Sequence, residues 1–231
     1  MLRPRSYPEL LGKALMLDAD PHIVMVDDDQ PWIEGLFMTV VVGVIAGAAQ
    51  IIGGGLLTIS MPGANAVLEA ILRGVATGLD PEALAASEET IRAAWNWFGF
   101  LTGYGGGWSR LLLLVSVPLL LVIQWALYSF VGHGVARLLG GQGTLNQTLG
   151  AAGLIVAPQV LVFFQIIPFV SVSNLLLLTW SMLIAYRAME IAHVLPWQRA
   201  IVTVLAPPVL FVLIVGAIYS LSGAFLIFGG A

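Results

Sequence analysis

The chain has no cysteine, a single lysine (Lys13) and few charges of either sign. Without cysteine there are no disulfides, thiolate nucleophiles or cysteine-ligated metals. Charged residues make up 10% of the 231, against about 25% in a soluble domain. Nine cations and 13 anions cannot clothe a globule of this size, which excludes a soluble enzyme with a wet surface. A net charge of −4 leaves no basic footprint and argues against a nucleic-acid partner. A disordered chain needs low hydrophobicity and high charge, and this chain has the reverse. What it has instead is 59% hydrophobic residues and a mean hydropathy of +0.96. That composition belongs to an all-α integral membrane protein, with membrane lipids as its surroundings.

A charge inside hydrocarbon costs roughly 2.5–3.5 kcal/mol on insertion scales, so charge-free runs mark spans. Four long runs occur: Glu34 to Glu69, Arg110 to Arg137, Arg137 to Arg187, and Arg199 to the end. Crossing takes about 20 residues. The third run is long enough for two spans, and Pro168 divides it, with Asn174 as a helix-start residue beyond. The expectation is five transmembrane helices, near 35–59, 111–132, 146–167, 172–189 and 198–222. Thr144-Leu-Asn-Gln147 has the form of a capping box for the third. Pro196 suits the first turn of the fifth. Trp32, Trp108 and Trp197 fall at expected interfaces.

Arg3, Arg5, Lys13, Arg137, Arg187 and Arg199 fall on one side of this map, and Arg73, Arg92 and Arg110 on the other. The positive-inside rule then places the N-terminus in the cytoplasm and the C-terminus outside, in a multi-pass protein of the cell (inner) membrane. Residues 1–34 read as a cytoplasmic segment with one helix on the membrane surface, carrying Leu10, Leu11, Ala14, Leu15 and Leu17. No secretory signal is expected there, because residues 1–30 have no apolar core. Residues 35–231 read as the membrane domain. Its extracytoplasmic loop, 60–110, is expected to hold two short interfacial helices. Val67, Leu68, Ile71, Leu72 and Val75 stripe the first. Asp80 and Pro81 open the second, which carries Leu84, Ile91, Trp95 and Phe98 on one face and the pair Glu88–Arg92 on another.

Leu139-Gly-Gly-Gln-Gly-Thr-Leu-Asn-Gln-Thr148 runs on into Gly153-Leu-Ile-Val-Ala-Pro158. Trp180-Ser-Met-Leu-Ile-Ala-Tyr-Arg-Ala-Met-Glu-Ile-Ala-His193 follows, then Arg199-Ala-Ile through Leu205-Ala-Pro207. From Leu10 to about Pro207 these stretches resemble the Yip family, the Ypt/Rab-interacting membrane proteins, in its bacterial-type form. The resemblance implies five spans, a cytosolic N-terminus and a non-enzymatic organiser of membranes. Eukaryotic members are linked to Rab GTPases. The Asp-Leu-Tyr-Gly-Pro motif of those members has no counterpart before the first span, so that link is not carried over.

Few residues carry chemistry. His133, Glu190 and His193 are weak metal candidates: Glu190-x-x-His193 shares one helical face, but carboxylate-bridged bundles use two such motifs. The plainer reading pairs Glu190 with Arg187 or Arg199 and expects no metal and no cofactor. Gln50, Gln124 and Gln159 lie near mid-membrane, close to the depth of Pro158, Pro207 and Pro208. They read mainly as interhelical glue and secondarily as a polar ligand site. Gly43-x-x-x-Gly47 suits close helix packing, with a dimer face as the sharper option. Gly53-Gly54-Gly55 is expected to loosen the end of the first helix. Gly140-Gly141-Gln142-Gly143 reads as a tight turn, since no P-loop lysine follows it. Arg137, Arg187 and Arg199 are expected to hold lipid head groups or to clamp the N-terminal segment through Asp27, Asp28 and Asp29. No nucleophile–base pair and no His-Glu-x-x-His element appears. The sequence therefore points to a scaffold or adaptor with a membrane-protein partner or a second copy of itself. A small-solute transporter or channel subunit built on the glutamine level is the alternative.

Overall fold

The computed structural model describes residues 4–60, 62–78, 81–102 and 108–228. All the regular structure among them is helical. Two short helices, α1 (Tyr7–Leu15) and α2 (Asp20–Val26), precede the long α3 (Pro31–Ser60). A helical pair follows, α4 (Ala64–Ala76) and α5 (Pro81–Thr102). A short 3₁₀ turn leads into α6 (Leu113–Leu138). Then come α7 (Leu145–Ala152), continued by a 3₁₀ segment Gly153–Ile166, α8 (Asn174–His193) and α9 (Trp197–Phe228). Five stretches are long and apolar enough to cross a membrane: Pro31–Ser60, Arg110–Leu138, Leu145–Ile166, Asn174–His193 and Trp197–Ile218. Large apolar side chains such as Phe163, Leu120 and Val212 are more than half exposed on them. Such surface suits lipid and not water.

Local chemistry sets the boundaries. The capping box is present: Gln147 N–H donates to Thr144 Oγ1 at 3.2 Å, and Thr144 N–H donates to Gln147 Oε1 at 2.9 Å. Pro196 lies one residue before α9, and its carbonyl accepts from Arg199 and Ala200 N–H. The third span is α-helical only as far as Ala152. Pro158 lacks the N–H an α-helix needs, and the segment around it winds as the tighter 3₁₀ form.

Three expectations change. The N-terminal segment holds two helices instead of one: Leu17 takes a left-handed backbone (φ 60), which ends α1, and Pro21 starts α2. Leu10, Leu11 and Ala14, expected on a surface helix, are buried against protein. Gly53-Gly54-Gly55 does not loosen α3, which stays helical to Ser60. Asp80 lies outside the described residues, as does the side chain of Trp108.

The chain divides into two compact units. One comprises Met1–Val40, Leu121–Pro158 and Leu175–Ala231, the other Val41–Leu120 and Gln159–Asn174. In the first, Trp125, Tyr128, Ile155, Met189 and Val204 form the main buried cluster. In the second, α4 packs on α5 through Leu68 and Leu72, and Arg92 pairs with Glu88 at 2.8 Å and Glu69 at 3.5 Å. There too, Gly43 faces the Pro118 backbone and Gly47 the Leu113 carbonyl, so the glycine pair serves contact between α3 and α6.

Candidate functional site

The polar groups of the first unit gather where α6, α7, α8 and α9 begin or end. Capping directs the α7 N-terminus so that Thr148, one turn in, is fully buried. Its Oγ1 lies 2.9 Å from the Thr144 carbonyl, 3.0 Å from His133 Nδ1 of α6 and 2.9 Å from His193 Nε2 of α8. A carbonyl only accepts, so the hydroxyl proton goes to Thr144. Both imidazoles then donate to the hydroxyl oxygen, whose two lone pairs they fill. The rings stand 5.1 Å apart. This assignment leaves His193 Nδ1 as a buried acceptor without a partner among the described residues. It points at the glycine turn: a methyl group on Gly141 would come within 2.9 Å of Nδ1, and one on Gly143 within 3.1 Å. Gly140, with φ +90, turns the chain there, and Gln142 N–H donates to the His193 carbonyl at 3.1 Å.

The arginines secure this end of the unit. Arg137 donates to the Gly141 carbonyl at 3.1 Å and Arg199 to the Leu139 carbonyl at 2.8 Å. Arg187 donates to the Leu17 carbonyl at 3.1 Å, and Trp180 Nε1–H to the Leu15 carbonyl at 3.0 Å. The carbonyls at the end of α1 have no intrahelical partner, and α8 supplies one. Among the described residues the three arginines bond to backbone carbonyls and Glu190, and Arg187 reaches the N-terminal segment at Leu17. Glu190 accepts from Arg187 at 2.7 Å and from Tyr186 at 3.0 Å. It is engaged there while the histidines meet at Thr148, and the described residues include no group of three metal-ligating side chains.

The N-terminal helices add two groups that sequence reasoning missed. Tyr7 donates to the carboxylate of Glu34, which is 2% exposed. Burial, then the bond to that carboxylate and its charge, pushes the phenol well above its usual range. His22, on the face of α2 that packs on α7, is 0% exposed with neither ring nitrogen hydrogen-bonded among the described residues. Burial lowers its pKa to about 4, and the positive charge of Arg187 adds to the shift. The Ala151 carbonyl opposes the shift from nearby, outside hydrogen-bond geometry. Pattern reading had no handle on a lone histidine in a short helix, and Thr148 looked like any polar residue after a cap.

The glutamines separate. Gln50 and Gln159 belong to the second unit and Gln124 to the first. Gln50 lines a cavity of about 620 Å³ with Gln165, Leu57, Leu113 and the Ile167–Ser171 turn; Gln124 and Gln159 are not among its lining residues. Pro158, fully buried in the third span, belongs to the first unit.

Chemically the Thr148 cluster is a hydrogen-bonded joint. The hydroxyl lies within hydrogen-bond distance of the Thr144 carbonyl and of both imidazoles. Nothing matches the chain among curated proteins or among solved structures. The Yip1 domain profile, however, matches residues 15–218, from the end of α1 into α9. The match takes in the glycine turn, the Thr148 joint and all five apolar stretches, so this chain belongs to the Yip1 domain family.

Proposed function

We propose that this protein is a non-enzymatic membrane scaffold or adaptor, resident in the cell membrane with its N-terminus in the cytoplasm and its C-terminus outside. Residues 1–34 then form its cytoplasmic segment and 35–231 its membrane domain. The observation that carries the reading is the fixed N-terminal platform. Trp180 and Arg187 hold the end of α1, and Pro21, His22 and Met25 bury the inner face of α2. The outer surface keeps Met16 82%, Ile23 44% and Val24 40% exposed. Apolar side chains held in place outside the spans are what a partner protein recognises, because their ordering cost is met before binding. Arg137, Arg187 and Arg199 support the reading by bracing this end instead of serving a catalytic group.

Photo-crosslinkers placed at Met16 and at Ile23, in intact membranes, test it. The expected result is one discrete protein adduct common to both positions, either a membrane partner or a second copy of the chain. Adducts with lipid alone would overturn the scaffold. Phosphatase fusions check the orientation: activity is expected at the C-terminus, and activity at the N-terminus would reverse the map.

A further inference from the structure

The cavity of the second unit combines two features that ordinarily exclude each other. Gln50 and Gln165 carry half-buried side-chain amides with no hydrogen-bond partner among the described residues; Gln50 lies within Pro31–Ser60 and Gln165 at the end of Leu145–Ile166. An amide left unpaired in an apolar medium costs several kcal/mol. Around them the surroundings are apolar: Leu57 and Leu113 line the cavity, and the adjoining turn exposes Ile167 54%, Phe169 74% and Val170 42%. No charged side chain is among the described residues that line it, although the Arg110 guanidinium lies 3.8 Å from where a methyl group on the lining Gly54 would sit.

The site is built, not a gap between loose ends. A methyl group on Gly53 would lie 1.9 Å from the Gln165 carbonyl oxygen, so α3 meets the end of the third span backbone to backbone. That contact places the Gln165 side chain beside α3. Gln50 and Leu57 are seven residues apart on α3, about 10 Å along its axis, so the lining runs lengthwise along α3. The turn at its edge is held by Val170 N–H donating to the Ile167 carbonyl at 3.1 Å, with Phe169 in the left-handed region (φ 67). A bulky residue in that conformation is strained, and strain of this kind collects at ligand clamps.

We propose that this cavity binds one membrane glycerolipid, its neutral ester region hydrogen-bonded to the amides of Gln50 and Gln165 and its acyl chains against Leu57, Leu113 and Phe169. Ester carbonyls accept from the two amide N–H₂ groups. The flanking hydrocarbon matches the apolar wall, which a small polar solute would leave uncovered. The amide pair fits the glycerol-ester level of a lipid. A volume of about 620 Å³ falls within the roughly 300–1,000 Å³ of small-molecule sites.

Phosphatidylcholine is the probe. The full chain is purified in detergent, titrated with it and examined by native mass spectrometry. Wild type and the control Gln124→Leu are expected to retain one lipid per chain. The double variant Gln50→Leu/Gln165→Leu is expected to retain it about tenfold more weakly, the effect of losing two modest hydrogen bonds. Equal retention by wild type and double variant overturns the proposal. A second measurement uses the absence of native cysteine. Ser171→Cys is expected to react slowly with a water-soluble maleimide in phosphatidylcholine nanodiscs, and faster once the two glutamines are replaced. Fast reaction of Ser171→Cys with both glutamines in place would mean a water-filled slot and would also overturn the proposal.

Discussion

The two compact units place their polar side chains differently. In the first, Thr148 satisfies two histidines and a carbonyl at once, and three arginines tie the surrounding turns. In the second, Gln50 and Gln165 stand open on a cavity without partners among the described residues. The first unit joins the Thr148 groups to one another, although His22 and His193 Nδ1 stay buried without a partner among the described residues. The second presents its amides to a cavity.

The comparison breaks most sharply at the glycine turn. A methyl group on Gly143 would sit 2.0 Å from the Ala192 carbonyl oxygen, a backbone atom with no room to move. Gly143→Ala is expected to cost about 3 kcal/mol by overpacking, read as a lowered Tm in detergent. A Tm equal to wild type would mean that the turn is not tightly seated.

His22 gives an effect of similar size that depends on pH. Undocked, the imidazole has its ordinary pKa of 6.5; docked, it is held at about 4. The docked state therefore binds fewer protons. Docking is at full strength above about pH 6.5, weakens as pH falls, and has lost about 3 kcal/mol by pH 4. Hydrogen exchange of α2 between pH 7 and pH 4, corrected for intrinsic rates, is expected to show progressive release. His22→Leu is expected to remove that dependence. A flat profile in wild type would show that the ring stays solvated.

Thr148→Val keeps the shape and removes the hydroxyl, stranding one N–H of each histidine. The expected loss is about 2 kcal/mol, in unfolding experiments on the purified chain. The smallest change sharpens the contrast from the other side. Gln50→Leu removes an amide that bonds to none of the described residues, so stability is expected to stay within about 0.5 kcal/mol of wild type while lipid retention falls. A large stability loss would make Gln50 a structural residue like Thr148.

Much of the fold was legible before any coordinate. Charge-free runs located five spans, because the cost of burying a charge in hydrocarbon is local and large. Thr144 and Gln147 announced the start of α7, because capping acts over three residues. The third span's change from α to 3₁₀ was signalled by Pro158 but not its extent, which depends on packing. The kink at Leu17 was not legible, since leucine carries no preference for a left-handed backbone. His133 and His193 stood out as candidates, yet Glu190, grouped with them by spacing, pairs with Arg187 and Tyr186.

The sequence by itself determined that this is a helical membrane protein with five stretches long and apolar enough to cross. Transfer energies and caps act along the chain, and the chain order displays them. Only tertiary structure decided that Thr148 joins two histidines 15 and 45 residues away. It also decided that His22 is sealed from water and that Gln165, not Gln124 or Gln159, shares a cavity with Gln50. Those outcomes depend on which helix faces meet, and side chains distant in sequence become neighbours only when backbones approach as closely as they do at Gly53 and Gly143.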